Sequence, residues 1–256
     1  MNIITLLFKS SLGKKFVMAV SGAGLFCFLI GHLLGNLQIF LAPEAINRYA
    51  HFLQSTPELI WSARLGLLAL VVLHGWSAIQ LSLENRASRP VRYAIDPARK
   101  SSSMASRTML GTGSIIAAFI VYHLLHYTVR LEGINGSLIN FHDLKDPTTG
   151  HNDVYAMVIA GFQVWYVSLF YIIAIGLLCF HLSHGLKGMF QSLGLMNRSY
   201  RAIIDKAAPV FAAALFLGYA SIPAAVLLLG HGSDYLNAVR GKSPTPAAIS
   251  SHEVTK

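Results

Sequence analysis

Four histidines, His32, His74, His123 and His184, stand inside four different membrane-length apolar stretches. An ionisable side chain in hydrocarbon is costly, so such residues face a bundle interior and mark functional paths. Imidazole is also an axial ligand of haem iron. Two pairs at two depths would clamp two stacked haems and form an electron route across a bilayer. The alternatives are buried polar groups bonded across helices, or a proton path in a haem-free transporter. One ligand per stretch, pairing by depth, favours haem.

The stretches that must position these residues are plain in the composition. The chain has 256 residues, 54% hydrophobic and 12% charged, with mean hydropathy +0.54. That is too apolar for an ordinary soluble domain. Five segments, about Phe16–Leu41, Ile60–Leu83, Met109–Val129, Val158–Met189 and Ala207–Leu229, exceed the roughly 18 to 20 residues that cross about 30 Å of hydrocarbon. Backbone groups in lipid must bond within their own segment, so the expected fold is an all-α bundle of five transmembrane helices. Residues 1–231 read as one membrane domain and 232–256 as a flexible tail. The first span is too long for a signal peptide's apolar region. Met1–Phe8 reads as a short interfacial turn, and the loop Glu132–Asp153 as an irregular cover on the far side.

Basic residues orient the bundle. Lys9, Lys14 and Lys15, then Arg86, Arg89, Arg92, Arg99, Lys100 and Arg107, then Lys187, Arg198, Arg201 and Lys206 fall on one side, thirteen of the twenty Lys and Arg. The positive-inside rule puts that side, with the N-terminus, in the cytoplasm. The net charge of +9 is therefore a topology signal and needs no nucleic-acid partner.

Depth follows from the 1.5 Å rise per residue. His32 and His123 each lie about 16 residues, roughly 24 Å, from the cytoplasmic face, while His74 and His184 lie roughly 12 to 15 Å deep. The expected pairs are His32 with His123 and His74 with His184, in layers about 10 Å apart. His126 stands one turn beyond His123 and His181 one turn before His184, so each shares a face with its neighbour. Both are weighed as propionate or packing residues, with Lys15, Ser21, Gly24, Gly31, Arg107 and Lys187. Glycine permits close approach to a flat macrocycle, although small residues also serve ordinary helix contacts. Cys27 and Cys179 read as small core residues rather than as a disulfide or zinc site. No H-E-x-x-H, Gly-rich phosphate loop or C-x-x-C-H is present, so a bound haem would be of the b type.

The chain resembles the five-helix dihaem cytochrome b membrane anchor of succinate:quinone oxidoreductases, including quinol:fumarate reductases. The resemblance rests on Phe28-Leu29-Ile30-Gly31-His32, Val71-Val72-Leu73-His74, Tyr122-His123 ten residues after Gly113, and His184-Gly185, and it covers about Leu12 to Gly230. It implies two haem b groups with His32, His74, His123 and His184 as axial ligands, favouring His123 over His126 and His184 over His181. It also implies a flavoprotein and an iron–sulfur subunit on the cytoplasmic face of a bacterial inner membrane, and a quinone substrate, menaquinone or ubiquinone. The dicarboxylate chemistry would then belong to the flavoprotein. Some fumarate reductases of this kind carry a glutamate two residues before the fourth-span ligand; here that position is Leu182. A dihaem subunit of a hydrogenase or formate dehydrogenase would share the haems but not the partners. For quinone, the first outer connection offers Asn36, Gln38, His51, Glu58, Trp61 and Arg64, polar groups beside apolar ones.

Overall fold

The computed structural model describes residues 2–88 and 104–242, the second stretch with side chains from 108 to 241. Arg89, Arg92, Arg99, Lys100, the Arg107 side chain and the last fourteen residues lie outside the described residues. Among the described residues nine α-helices follow one another: α1 (Ile3–Lys9), α2 (Ser11–Asn36), α3 (Pro43–Gln54), α4 (Pro57–Ala87), α5 (Met104–His123), α6 (Val154–Gln163), α7 (Trp165–Ser192), α8 (Arg201–Leu229) and α9 (Ser233–Lys242). Five regions, in α2, α4, α5, α7 and α8, are long and apolar enough to cross a membrane. The protein is a multi-pass, all-helical membrane protein.

The spans do not pack evenly. α2 lies along α4, α5 along α7, and α7 along both α8 and α2, whereas α4 and α5 meet only weakly. Large apolar side chains such as Leu65, Leu68, Val72, Ile115 and Val121 remain exposed on the outer flanks of α4 and α5. In lipid that surface is solvated by acyl chains, so its exposure carries no penalty. The well-filled core instead gathers on the far side, where α6 is buried from Tyr155 to Phe162 and packs in one cluster with Phe141, Leu144 and Leu236.

Four local features depart from the sequence expectations. The fourth apolar stretch is not one helix: Val164 is extended, which separates the buried short helix α6 from the true span α7. The expected free tail from residue 232 begins as helix α9, with Leu236 wholly buried and the Tyr235 hydroxyl donating to Asp153 Oδ2 at 2.8 Å. A lone apolar residue in a short polar segment is a weak sequence signal, and only the floor formed by α6 makes it pay. Cys27 faces outward rather than into the core, while Cys179 is buried as expected. Residues 3–9 form a short helix with exposed apolar side chains, in place of a turn.

The cover on the far side is fastened by a buried polar knot. Asn47 of α3 donates to Asp146 Oδ2 at 3.2 Å and Asp153 Oδ1 at 3.0 Å, and accepts from Tyr155 N at 2.9 Å. Asp153 also caps α6 by accepting from Ala156 N at 2.9 Å, satisfying one of the orphan donors of a helix start. Burial opposes ionisation of Asp146. Hydrogen bonds from the Thr148 side chain and backbone, from Thr149 N and from Asn47 outweigh it and hold the carboxyl below the usual carboxylate range. Because the folded value is depressed, the contribution is present above the unfolded value of about 3.9 and is lost as pH falls through the folded value. The hydrogen-exchange protection factors of the segment 139–153, corrected for the intrinsic rate, should therefore fall below about pH 4 while the spans stay protected. Equal protection of that segment at pH 3 and pH 7 would contradict this account.

Candidate functional site

The bundle brings four imidazoles together in two facing pairs. His32 on α2 meets His123 at the end of α5, ring centres 5.8 Å apart and planes at 85°. His74 on α4 meets His181 on α7, ring centres 6.4 Å apart and planes at 63°. Both pairs bridge helices from the two halves of the bundle. Neither pair is joined by a hydrogen bond between its rings.

The inner pair differs by one residue from the expected set. His181, not His184, stands opposite His74. The two lie one turn apart on α7, about 4.5 Å along the axis. Counting back from an uncertain helix end cannot resolve one turn. No hydrogen bond or ring contact joins His184 to another described residue, and Lys187 beside it pairs with Asp205 at 3.4 Å.

The tautomers of the inner pair follow from their partners. His74 Nδ1 lies 3.1 Å from the carbonyl oxygen of Met18, which can only accept. Nδ1 therefore carries the proton and Nε2 keeps its lone pair. Ser21, almost fully buried, turns its own hydroxyl to Val17 O and stands 3.5 Å from the same nitrogen. Across the cleft, the Thr112 hydroxyl donates to Thr108 O at 3.0 Å, so its oxygen accepts from His181 Nδ1 at 3.1 Å. Both rings thus offer Nε2, the form a metal requires, with an outer partner holding each ring. Met18 and Thr112 were not legible as site residues. A threonine bonded back to its own helix is ordinary, and a backbone carbonyl has no sequence signature.

Space beside these rings comes from glycine. A Cβ on Gly22 would stand 3.2 Å from His74 Cε1 and 3.4 Å from Nδ1, and one on Gly113 would stand 3.5 Å from His181 Cε1. Gly24, expected to pack on haem, instead admits Leu70, whose Cδ1 would lie 2.8 Å from an added Cβ. Gly31 has no neighbour within 4 Å of such a Cβ.

The outer pair sits in an aromatic nest. Phe28 stacks on His32 at 5.1 Å, and Phe119, Tyr127 and Tyr171 surround His123 at 6.0 to 6.1 Å. Tyr219 approaches His32 at 6.2 Å and donates its hydroxyl to Leu29 O at 2.7 Å. His126 is fully buried one turn beyond His123, where the helix widens into a π turn over Leu124–Val129.

The remaining expected residues scatter. Asn36 donates to His32 O at 2.7 Å and stands 3.4 Å from both ring nitrogens, so it lies at the outer pair. Gln38 and Arg48 line a shallow groove with Tyr49 and Phe52. His51 does not line that groove and lies against His151, ring centres 3.9 Å apart. Glu58, Trp61 and Arg64 are exposed at the start of α4, with the Arg64 guanidinium 5.1 Å over the Trp61 ring. The six expected quinone residues therefore do not converge on one pocket. On the opposite side Lys15 is exposed, and Lys14 is buried in an ion pair with Glu84, which Ser11 also donates to.

Two imidazole nitrogens bound on opposite faces of one metal, with bonds of about 2 Å each, put the ring centres roughly 6 Å apart. Both pairs match that span. Among the described residues no cluster of three or more His, Cys, Asp or Glu is arranged for a metal ion. Each site thus brings two imidazoles from different helices to a separation that one metal ion could bridge, with further coordination positions left to another ligand. These features define a class: a five-span helical membrane protein with two facing imidazole pairs. No family model, curated protein or solved structure matches the chain.

Proposed function

We propose that this chain is a dihaem cytochrome b that carries electrons across a membrane, with His32 and His123 holding the outer haem and His74 and His181 the inner one. The observation that carries the reading is the inner pair, 6.4 Å between ring centres with each Nδ1 tied to an acceptor. A proton path would favour imidazoles hydrogen-bonded to one another or to water, not rings opposed across a gap with their outer nitrogens already engaged.

The haems would supply one-electron carriage, and the chain orients, insulates and tunes them. Met18, Ser21 and Thr112 hold the inner imidazoles in the ligating tautomer. Phe28, Phe119 and Tyr219 exclude water around the outer pair. Asn36 is within reach of the outer imidazole edge, on the side where a quinone would approach. The sequence resemblance extends the reading to the membrane anchor of a succinate:quinone oxidoreductase in a bacterial cytoplasmic membrane. Its partners would be an iron–sulfur subunit against the cytoplasmic loops and a flavoprotein beyond it, with menaquinone or ubiquinone as the membrane substrate.

Purified protein should show a b-type reduced-minus-oxidised spectrum and two haems per chain. Spectra lacking a haem band from protein produced with ample haem would end the proposal. Copurification of a flavin-containing subunit would separate this assignment from a hydrogenase or formate dehydrogenase cytochrome.

A further inference from the structure

The outer pair differs from the inner one in what holds its second nitrogen. Tyr171, on α7 and 4% exposed, places its hydroxyl between two imidazoles, 2.9 Å from His126 Nδ1 and 3.4 Å from His123 Nδ1. One hydroxyl has one proton to give and lone pairs with which to accept. If His123 binds iron through Nε2, its Nδ1 carries a proton, and the Tyr171 oxygen is the acceptor in reach. The Tyr171 proton then goes to His126 Nδ1, which makes His126 the Nε2–H tautomer. That Nε2 is buried and has no hydrogen-bond partner, as is the Tyr127 hydroxyl stacked beside it. The π turn that begins just after His123 sets His126 against Tyr171. Single π turns inside α-helices often mark functional positions, and an unsatisfied buried donor calls for an explanation beyond packing.

We propose that Tyr171 is the positioning residue of the outer haem: with His126 as its acceptor, it holds the His123 ring and sets the electron density at the ligating nitrogen. This rests on the dihaem reading above. A ligand imidazole whose outer N–H is hydrogen-bonded is a stronger donor, and stronger donation favours the oxidised metal. The chain His123 to Tyr171 to His126 therefore lowers the reduction potential of the outer haem. The inner pair is held differently: its outer nitrogens end on Met18 O and Thr112 Oγ1 rather than on a tyrosine hydroxyl shared with another imidazole.

The experiment is a redox titration of the intact, haem-loaded protein, read optically and by low-temperature electron paramagnetic resonance. Tyr171→Phe should keep two haems per chain, raise the midpoint potential of one of them, and move only that haem's low-spin signal as its imidazole reorients. His126→Gln, which keeps a polar side chain but removes the imidazole acceptor, should shift the same haem in the same direction and by less. Tyr235→Phe, outside the spans, should shift neither. Two haems with both potentials and both resonance signals unchanged in Tyr171→Phe would overturn the inference and leave the dihaem reading intact. Wild-type protein without haem would overturn both. Should Tyr171→Phe fail to fold, an unshifted His126→Gln protein would overturn the inference by itself.

Discussion

On the proposed dihaem reading, replacing His181 with alanine should remove one of the two haem signals, replacing His74 should remove the same one, and replacing His184 should remove neither. The expectation follows from which ring faces which: His74 and His181 stand 6.4 Å apart with each Nδ1 already engaged, and no ring contact joins His184 to His74. Loss of one axial imidazole leaves haem held by one ligand and apolar contact, so haem content should fall from two per chain to about one. His32→Ala and His123→Ala should abolish the other signal. Haem content per chain and the split low-spin resonances distinguish these outcomes. Loss of the inner signal in His184→Ala with retention in His181→Ala would reverse the assignment and restore the pairing expected from depth alone.

Gly22→Val should eject the inner haem while the five helices remain folded. At Gly22 the Cβ alone would sit 3.2 Å from the His74 ring, a few tenths of an ångström too close. Alanine at this site gains about 0.8 to 1 kcal/mol of helix propensity over glycine. That offsets the small displacement of the ring, so Gly22→Ala should keep two haems with at most a slight spectral change. Valine is different. Its two γ-carbons extend from a χ1 that is nearly fixed in a helix, so it cannot swing aside. The imidazole must move, breaking the Nδ1 contact with Met18 O and turning Nε2 away from His181. Circular dichroism at the wild-type level together with half the haem would match this expectation. A Gly22→Val protein with two haems would mean that the ring has more freedom than the packing allows.

Much of the molecule is legible in the residues alone because hydrocarbon is a demanding solvent. A backbone there must be helical, and a run of about 20 apolar residues must span. The five spans, their approximate limits and the imidazoles at 32, 74 and 123 follow from that constraint. An expensive side chain in such a run has few reasons to be there. The outer pair, His32 with His123, is legible for the same reason: both lie a similar count from the same face, and the count is long compared with its error.

What the tertiary structure decided lies below the resolution of counting. His181 and His184 differ by one turn on a helix whose end can be drawn several residues either way, and only the facing ring of His74 selects between them. Asp153, Asn47, Asp146 and Tyr235 are an unremarkable set of loop and helix-end polar residues in sequence, yet they meet in one buried knot because α3, α6 and α9 fold over the same end of the bundle. Tyr171 and Thr112 carry no mark of their own, since hydroxyl side chains are common in membrane helices. Their roles exist only because α5 and α7 bring them within about 3 Å of an imidazole nitrogen. Solvent chemistry sets which segments cross the membrane and which residues are too costly to be idle there. Directional contacts of a few ångströms, made between segments far apart in the chain, set which nitrogen faces which.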